Sequence, residues 1–270
     1  MAPQPNGTTT LDLTLHSPRL LCLHGGGVTG DIFRAQSRAL IARLSPTFRL
    51  VFADGPFFCD PGPGIVPVYA DWGPYRRWLR WLPSHAEVDA ETAIEEIFYN
   101  IRTAMDEDTA RGASGEWVGV MGFSQGAKMA ASLLYEQQVR EEKLGGEIPG
   151  PLGEGVRLRF AVCMAGRAPL VALSEEAMGE DVVDASQISE GFQFGEGGSR
   201  SVLRLPSLHV HGLKDAGLHL HRRLLEQYCE KGSTTLVEWD GDHRIPLKSK
   251  DADLVTNAIF EIARKTGVLQ

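Results

Sequence analysis

Positive charge is scarce in this chain: 27 Lys and Arg stand against 35 Asp and Glu in 270 residues, a formal net charge of -8. Phosphate backbones are bound through clustered cations, so nucleic acid is excluded as the main partner. Cysteine is scarcer still. Cys22, Cys59, Cys163 and Cys229 lie far apart without any C-x-x-C spacing, and two of them fall in expected buried strands, so they read as reduced thiols. No apolar run reaches the length of a membrane span, and Met1 to Ser17 lacks a cationic patch followed by an apolar core. Internal repeats and low-complexity tracts are missing too. These absences lead to an expectation of one cytoplasmic globular domain over residues 1–270, with 1–17 a flexible N-terminus; 43% hydrophobic and 23% charged residues suffice for a full core.

Short apolar runs do recur, at Leu20 to Leu23, Arg49 to Ala53, Trp117 to Met121, Leu158 to Met164, Ser207 to His211 and Thr234 to Trp239. Their hydrophobicity is continuous rather than alternating, which predicts strands covered on both faces. Helical periods lie between them. Ile94, Ile97, Phe98, Ile101 and Met105 recur at three-to-four spacing, behind the capping-box pattern Ser84-His85-Ala86-Glu87. Strands alternating with helices predict an α/β doubly wound, mostly parallel sheet of six strands.

Three loops have biased composition. Residues 141 to 156 and 180 to 200 are rich in Gly, Glu and Ser and are expected to be solvated excursions without chemistry. Between Gly55 and Pro83, by contrast, six prolines accompany Phe57, Phe58, Tyr69, Trp72, Tyr75, Trp78 and Trp81. Those rings have to bury against something. Either they patch the outside of the core, or Phe57, Trp72, Tyr75 and Trp78 form a lid or wall over an acyl-binding cleft.

Gly122-Phe123-Ser124-Gln125-Gly126 stands directly behind one expected strand and directly ahead of the helical stretch Ala127 to Arg140, where a nucleophile elbow belongs. The flanking glycines fit such a turn, because side chains there would collide with neighbouring backbone as the Ser124 hydroxyl is pushed outward. After the first strand comes His24-Gly25-Gly26-Gly27, ahead of a helix expected near Asp31. A plain strand-to-helix turn seldom needs three glycines. Acyl transfer passes through a tetrahedral oxyanion, and backbone N–H groups approach it where side chains are absent, so the Gly26 and Gln125 amides are the expected donors. His24 itself reads as structural.

A serine hydroxyl is a weak nucleophile at neutral pH and needs an imidazole to take its proton and a carboxylate to fix that imidazole. In this architecture the chain order is nucleophile, acid, histidine. Asp215 follows the strand Ser207 to His211, and His243 follows the last strand in Gly241-Asp242-His243. Among eight histidines only His243 combines a loop, a preceding glycine and the right order. His219 and His221 fall in an expected helix with ordinary exposure, His209 and His211 belong to a strand, and His85 lies near a helix start. Asp240 and Asp242 are too near His243 in sequence to orient it, and Asp54 is expected to pin an adjoining turn rather than take part in chemistry. No metal and no organic cofactor is required.

Together, Cys22-Leu23-His24-Gly25-Gly26-Gly27, Phe48-Arg49-Leu50-Val51-Phe52-Ala53-Asp54-Gly55-Pro56, Asp71-Trp72-Gly73-Pro74, the Ser124 pentapeptide, Asp215 and His243 resemble the small fungal serine hydrolases of the α/β-hydrolase superfamily. The similarity is greatest to the standalone thioesterases and esterases of fungal polyketide pathways. That resemblance implies an α/β-hydrolase fold, cleavage of an acyl thioester or ester, and a polyketide synthase acyl carrier domain as a possible partner, with no nucleic acid or membrane partner. One departure is Asp242, which occupies a place often taken by a second glycine. The cationic run Arg76-Arg77-Trp78-Leu79-Arg80-Trp81 offers a docking patch for an acidic carrier, against the plainer reading of a helix face with arginines lying over aromatic rings. Two other functions fit the same residues: a general carboxylesterase outside secondary metabolism, and a noncatalytic ligand-binding homologue.

Overall fold

The computed structural model describes residues 12–145, 150–189, 191–195 and 198–270. In chain order the elements are β1 (Arg19–Leu23), α1 (Gly30–Gln36), α2 (Arg38–Leu44), β2 (Arg49–Ala53), β3 (Phe57–Cys59), β4 (Tyr75–Arg77), α3 (Ala90–Ala110), β5 (Trp117–Phe123), α4 (Gln125–Leu144), β6 (Phe160–Met164), β7 (Ser207–Gly212), α5 (Leu218–Tyr228), β8 (Thr234–Trp239) and α6 (Ser249–Lys265). Six strands form one parallel sheet in the order β2-β1-β5-β6-β7-β8.

Both faces of the sheet are covered, and side chains alternate between them. Leu21 and Leu23 of β1 and Ala161 and Cys163 of β6 join one buried cluster with α3 and α4. Leu20, Cys22, Phe160, Val162 and Met164 join the opposite cluster with α1, α2 and α6. Each fully buried Leu, Val or Phe contributes on the order of 1.5–3 kcal/mol, so apolar side chains are favoured on both faces and the runs read as continuous. Strand order reverses between β1 and β5. Ligands in open α/β sheets gather at such a switch point, outside the carboxyl ends of the strands. His24 and Ser124 follow those two ends directly.

Several details depart from the sequence reading. Residues 1–11 lie outside the described residues, but 12–17 are tied down: Asp12 meets Arg49 at 2.6 Å and His16 Nδ1 meets Ser114 Oγ at 2.7 Å. The cap of α3 is Asp89, whose carboxylate accepts from Thr92 N at 2.9 Å, not the Ser84 box. Asp54 behaves as expected, accepting from Gly30 N at 2.7 Å and so pinning the start of α1. Helix α4 runs on to Leu144, into the first expected loop. The second loop is no bland excursion in its described part, because Val182, Val183 and Ala185 are buried and Phe194 packs on the core.

The cationic run is not helical. Its start is strand β4, paired antiparallel with β3 so that Phe57 faces Arg77 and Phe58 faces Arg76. Each guanidinium lies over a ring, Arg76 at 4.0 Å from the centre of Phe58 and Arg77 at 4.7 Å from that of Phe57. Arg77 is only 3% exposed. Most of the expected docking charge is therefore covered by the chain's own aromatic groups. Among the described residues no helix is long and apolar enough to cross a membrane.

Candidate active site

Ser124 is the N-cap of α4, at φ 54° and ψ -113°. A side chain at positive φ is strained by about 1–3 kcal/mol, so the surroundings have to impose it. They do so by close approach. A methyl group at Gly126 would collide with the carbonyls of Leu23 and His24, and one at Gly122 would collide with the carbonyl of Gly126. The ends of β1 and β5 and the first turn of α4 are thus nested backbone against backbone. Ser124 N–H donates to Met164 O at 2.9 Å, and Ser124 O accepts from Ala127 N and Lys128 N at 3.1 Å.

The loops after β7 and β8 bring two further groups to this point. His243 Nε2 lies 3.0 Å from Ser124 Oγ, and His243 Nδ1 lies 2.6 Å from Asp215 Oδ2. The carboxylate can only accept from Nδ1–H, which leaves the Nε2 lone pair facing the hydroxyl. Asp215 Oδ1 accepts from Gly217 N at 2.8 Å. Burial alone would raise the Asp215 carboxyl, but the hydrogen bonds from His243 and the Gly217 amide outweigh it and hold the group at about 2. The two loops are stitched by Leu213 N to Trp239 O at 2.9 Å and Lys214 N to Gly241 O at 2.8 Å. Gly212 permits that contact, since a methyl there would stand 2.5 Å from Asp242 O. A hydroxyl, a neutral imidazole and a fixed carboxylate in line can move one proton and stabilise the resulting imidazolium.

The competing candidates are engaged elsewhere. Asp240 pairs with Lys214 at 2.7 Å and Asp242 with Arg244 at 3.4 Å, both toward solvent. His24 is fully buried, donates from Nδ1 to Gly25 O at 2.7 Å and accepts from Gly55 N at 2.8 Å, and burial lowers its pKa to about 4. It is a neutral bracket between two loops.

His221 corrects the expected exposure. It is 0% exposed, with Nε2 3.7 Å from Asp215 Oδ2. Neither ring nitrogen has a hydrogen-bond partner among the described residues, and both nitrogens of His211 share that condition. Burial drives His209, His211 and His221 to about 3, 4 and 3, so all three are neutral. The signal for His221 was its spacing with Leu224 and Tyr228, the buried face of α5. Among the described residues, Asp215, His221 and His243 form the group whose donors, within 4.8 Å of one another, suit a metal ion, although Asp215 and His243 already satisfy each other.

Gly25 lies against the elbow, where a methyl would stand 3.5 Å from Ser124 Cβ, and Gly26 lies under the Trp81 ring, where a methyl would approach to 2.7 Å. The Gln125 N–H belongs to the first turn of α4, whose amides have no intrahelical acceptor. Its side chain has a job that the sequence did not suggest. Gln125 Oε1 accepts from Trp78 N at 2.7 Å and Leu79 N at 3.1 Å, while Nε2 donates to Leu79 O at 3.0 Å, strapping the aromatic segment to the elbow.

The four expected pocket rings occupy different environments. Trp78 is a core residue at 0% exposure whose indole N–H donates to His24 O at 2.9 Å. Tyr75 is buried with Val28, Ile32 and Ile65, and its hydroxyl donates to Tyr69 O at 2.7 Å. Phe57 is half-buried beneath Arg77, and Trp72 stands 45% exposed against Tyr69. Trp78 and Tyr75 are therefore packed inside rather than set on an open wall. The rings anchor the segment first, and both Trp78, through His24, and Trp81, over Gly26, meet the Gly-rich loop.

The fold and site define a serine hydrolase of the α/β-hydrolase class. A family model described as "Serine hydrolase (FSH1)" matches residues 13–255, and the chain belongs to that family. It is 50% identical over 258 residues to Esterase citA of Monascus ruber, covering 95% of this chain and 96% of that one. It is 49% identical over 271 residues to Esterase claE of Penicillium crustosum, covering 97% and 99%. Among solved structures, acyl-protein thioesterase 2 of Zea mays superposes with a TM-score of 0.53 at 17% identity over 96% of each chain, a likeness of fold. The protein is an esterase-type hydrolase.

Two outcomes are expected. His24, His209, His211 and His221 titrate near 6.5 when unfolded but only at about 3 to 4 in the fold. Below pH 6.5 the unfolded chain takes up protons that the folded chain refuses, so stability is full above that value and drains away as pH falls toward 4. Thermal melts from about pH 7.5 to 4.5 should show Tm falling steeply below 6.5; a flat profile would contradict the neutral assignment. Replacing Gln125 by Ala leaves the Trp78 and Leu79 amides without their acceptor and should cost about 1–3 kcal/mol in urea unfolding, whereas no measurable loss would mean the strap is idle.

Proposed function

We propose that this enzyme hydrolyses an acyl ester or thioester through a Ser-His-Asp mechanism. Ser124 Oγ attacks the acyl carbonyl while His243 Nε2 takes its proton, and Asp215 holds the imidazolium that forms. The Gly26 and Gln125 amides face the oxyanion. Collapse of the tetrahedral intermediate expels the alcohol or thiol, which takes the proton from His243 and leaves an acyl ester on Ser124. Water then attacks that ester, giving up its proton to His243, and the second collapse returns the proton to Ser124 as the carboxylic acid departs. The single observation that supports this reading most is the His243 ring, held between Ser124 Oγ at 3.0 Å and Asp215 Oδ2 at 2.6 Å.

The substrate we favour is a polyketide-type acyl group, free or borne on a synthase carrier domain. Its support is the resemblance to polyketide-pathway esterases and thioesterases, together with the near-full-length match to the esterases citA and claE. The four free thiols suit a reducing cytoplasm. Purified protein should turn over matched acyl ester and acyl thioester substrates. Ser124→Ala should reduce both to the uncatalysed background, and Asp215→Asn should lower kcat by about 10³–10⁴-fold by freeing the wrong tautomer. Undiminished turnover by the Ser124→Ala protein would refute the mechanism.

A further inference from the structure

Among the described residues, two cations beside the elbow have no anionic partner. Lys128 is 6% exposed, and its ammonium donates to Ser189 Oγ at 2.7 Å. Arg167 follows β6 in the loop that starts with Ala165 at φ 53°. Its guanidinium lies against Gly217, where a methyl would stand 2.7 Å from Arg167 Nε. Neither group has a carboxylate within ion-pair distance among the described residues. Burying an ammonium with only a hydroxyl for company, and a second cation nearby, is unfavourable unless an anion completes the site.

The segments that carry them indicate which anion. Lys128 N–H donates to Ser124 O at 3.1 Å, so the two residues are one helical turn apart on one face of α4. Helical side chains tilt toward the N-terminus, which directs the lysine back along the face that carries the elbow. Arg167 lies against the glycine whose amide holds Asp215 at 2.8 Å. Both cations therefore belong to segments that meet at the elbow, since Ser124 N–H also donates at 2.9 Å to the carbonyl of Met164, three residues before Arg167.

We propose that Lys128 and Arg167 form an anion subsite for the acyl portion of the substrate, so that the preferred acyl group bears a carboxylate or an equally acidic enolate or phenolate several bonds from the scissile carbonyl. This rests on the acyl-enzyme reading above. Ser189 supplies a hydroxyl that accepts from the ammonium at 2.7 Å. Burial, followed by the Arg167 charge, lowers Lys128 to about 7, so a docking anion would draw a proton onto it.

The test holds the leaving group constant. p-Nitrophenyl monoesters of succinic, glutaric, adipic and suberic acid are compared with p-nitrophenyl acylates of equal chain length, using wild type, Lys128→Met and Arg167→Met. At the best chain length the wild type should favour the acidic acyl group at least about tenfold in kcat/KM, and each variant should shrink that ratio about tenfold, chiefly through KM. Arg167 is exposed, so its variant gives the answer even if Lys128→Met fails to fold. A wild-type ratio near one at every length, or variants that lower both series equally, would overturn the subsite. Turnover of the neutral esters that is lost in Ser124→Ala would show the hydrolase reading standing while the subsite falls. No turnover of any ester by the wild type would remove both.

Discussion

The site depends on three pieces of backbone packed too closely for a Cβ atom. Gly122 and Gly126 let the end of β5, the start of α4 and the carbonyls of Leu23 and His24 meet directly, and Ser124 is left at φ 54° with its hydroxyl projecting from the turn. The strain is local, while the restraint comes from both clusters of the core. Leu23 packs in one cluster and Cys22 in the other, so β1 cannot retreat from the elbow without opening a buried layer.

Around that fixed point the polar groups fall into two sets. Asp215 stays charged because His243 and Gly217 hydrogen-bond its carboxylate, against the pull of burial. His24, His209, His211 and His221 lose the same contest and stay neutral. Asp215 therefore faces one imidazole that it holds by a hydrogen bond at 2.6 Å and another, His221, at 3.7 Å that it does not. The carboxylate is committed to His243. A charged His221 would compete for it, and burial prevents that charge.

The central strands were legible because they are buried on both faces: continuous apolar runs mark them to within a residue or two, as with Ser207–Gly212. Ser124, Asp215 and His243 were legible as a constellation because each follows a strand at the carboxyl edge, in the order this architecture imposes. What escaped were features set by partners distant in sequence. Nothing local marks Phe57–Cys59 as the pairing partner of Tyr75–Arg77, since each strand is only three residues long and the arginines that lie over the rings sit on the other one. The Gln125 strap was hidden because its side chain reaches residues 46 and 47 positions away. The segment 180 to 200 looked solvated by composition, yet Val182, Val183 and Ala185 within it are buried. His221 misled because a histidine on an apolar helix face resembles an exposed one unless Leu224 and Tyr228 are read with it.

The central claim is that Ser124 forms the covalent bond to the substrate. Peptide mapping by mass spectrometry after treatment with a fluorophosphonate tests it directly. One adduct per chain, on the peptide containing Ser124 and absent from Ser124→Ala, is the predicted result. An adduct on another residue, retained at the same stoichiometry in Ser124→Ala, would contradict it.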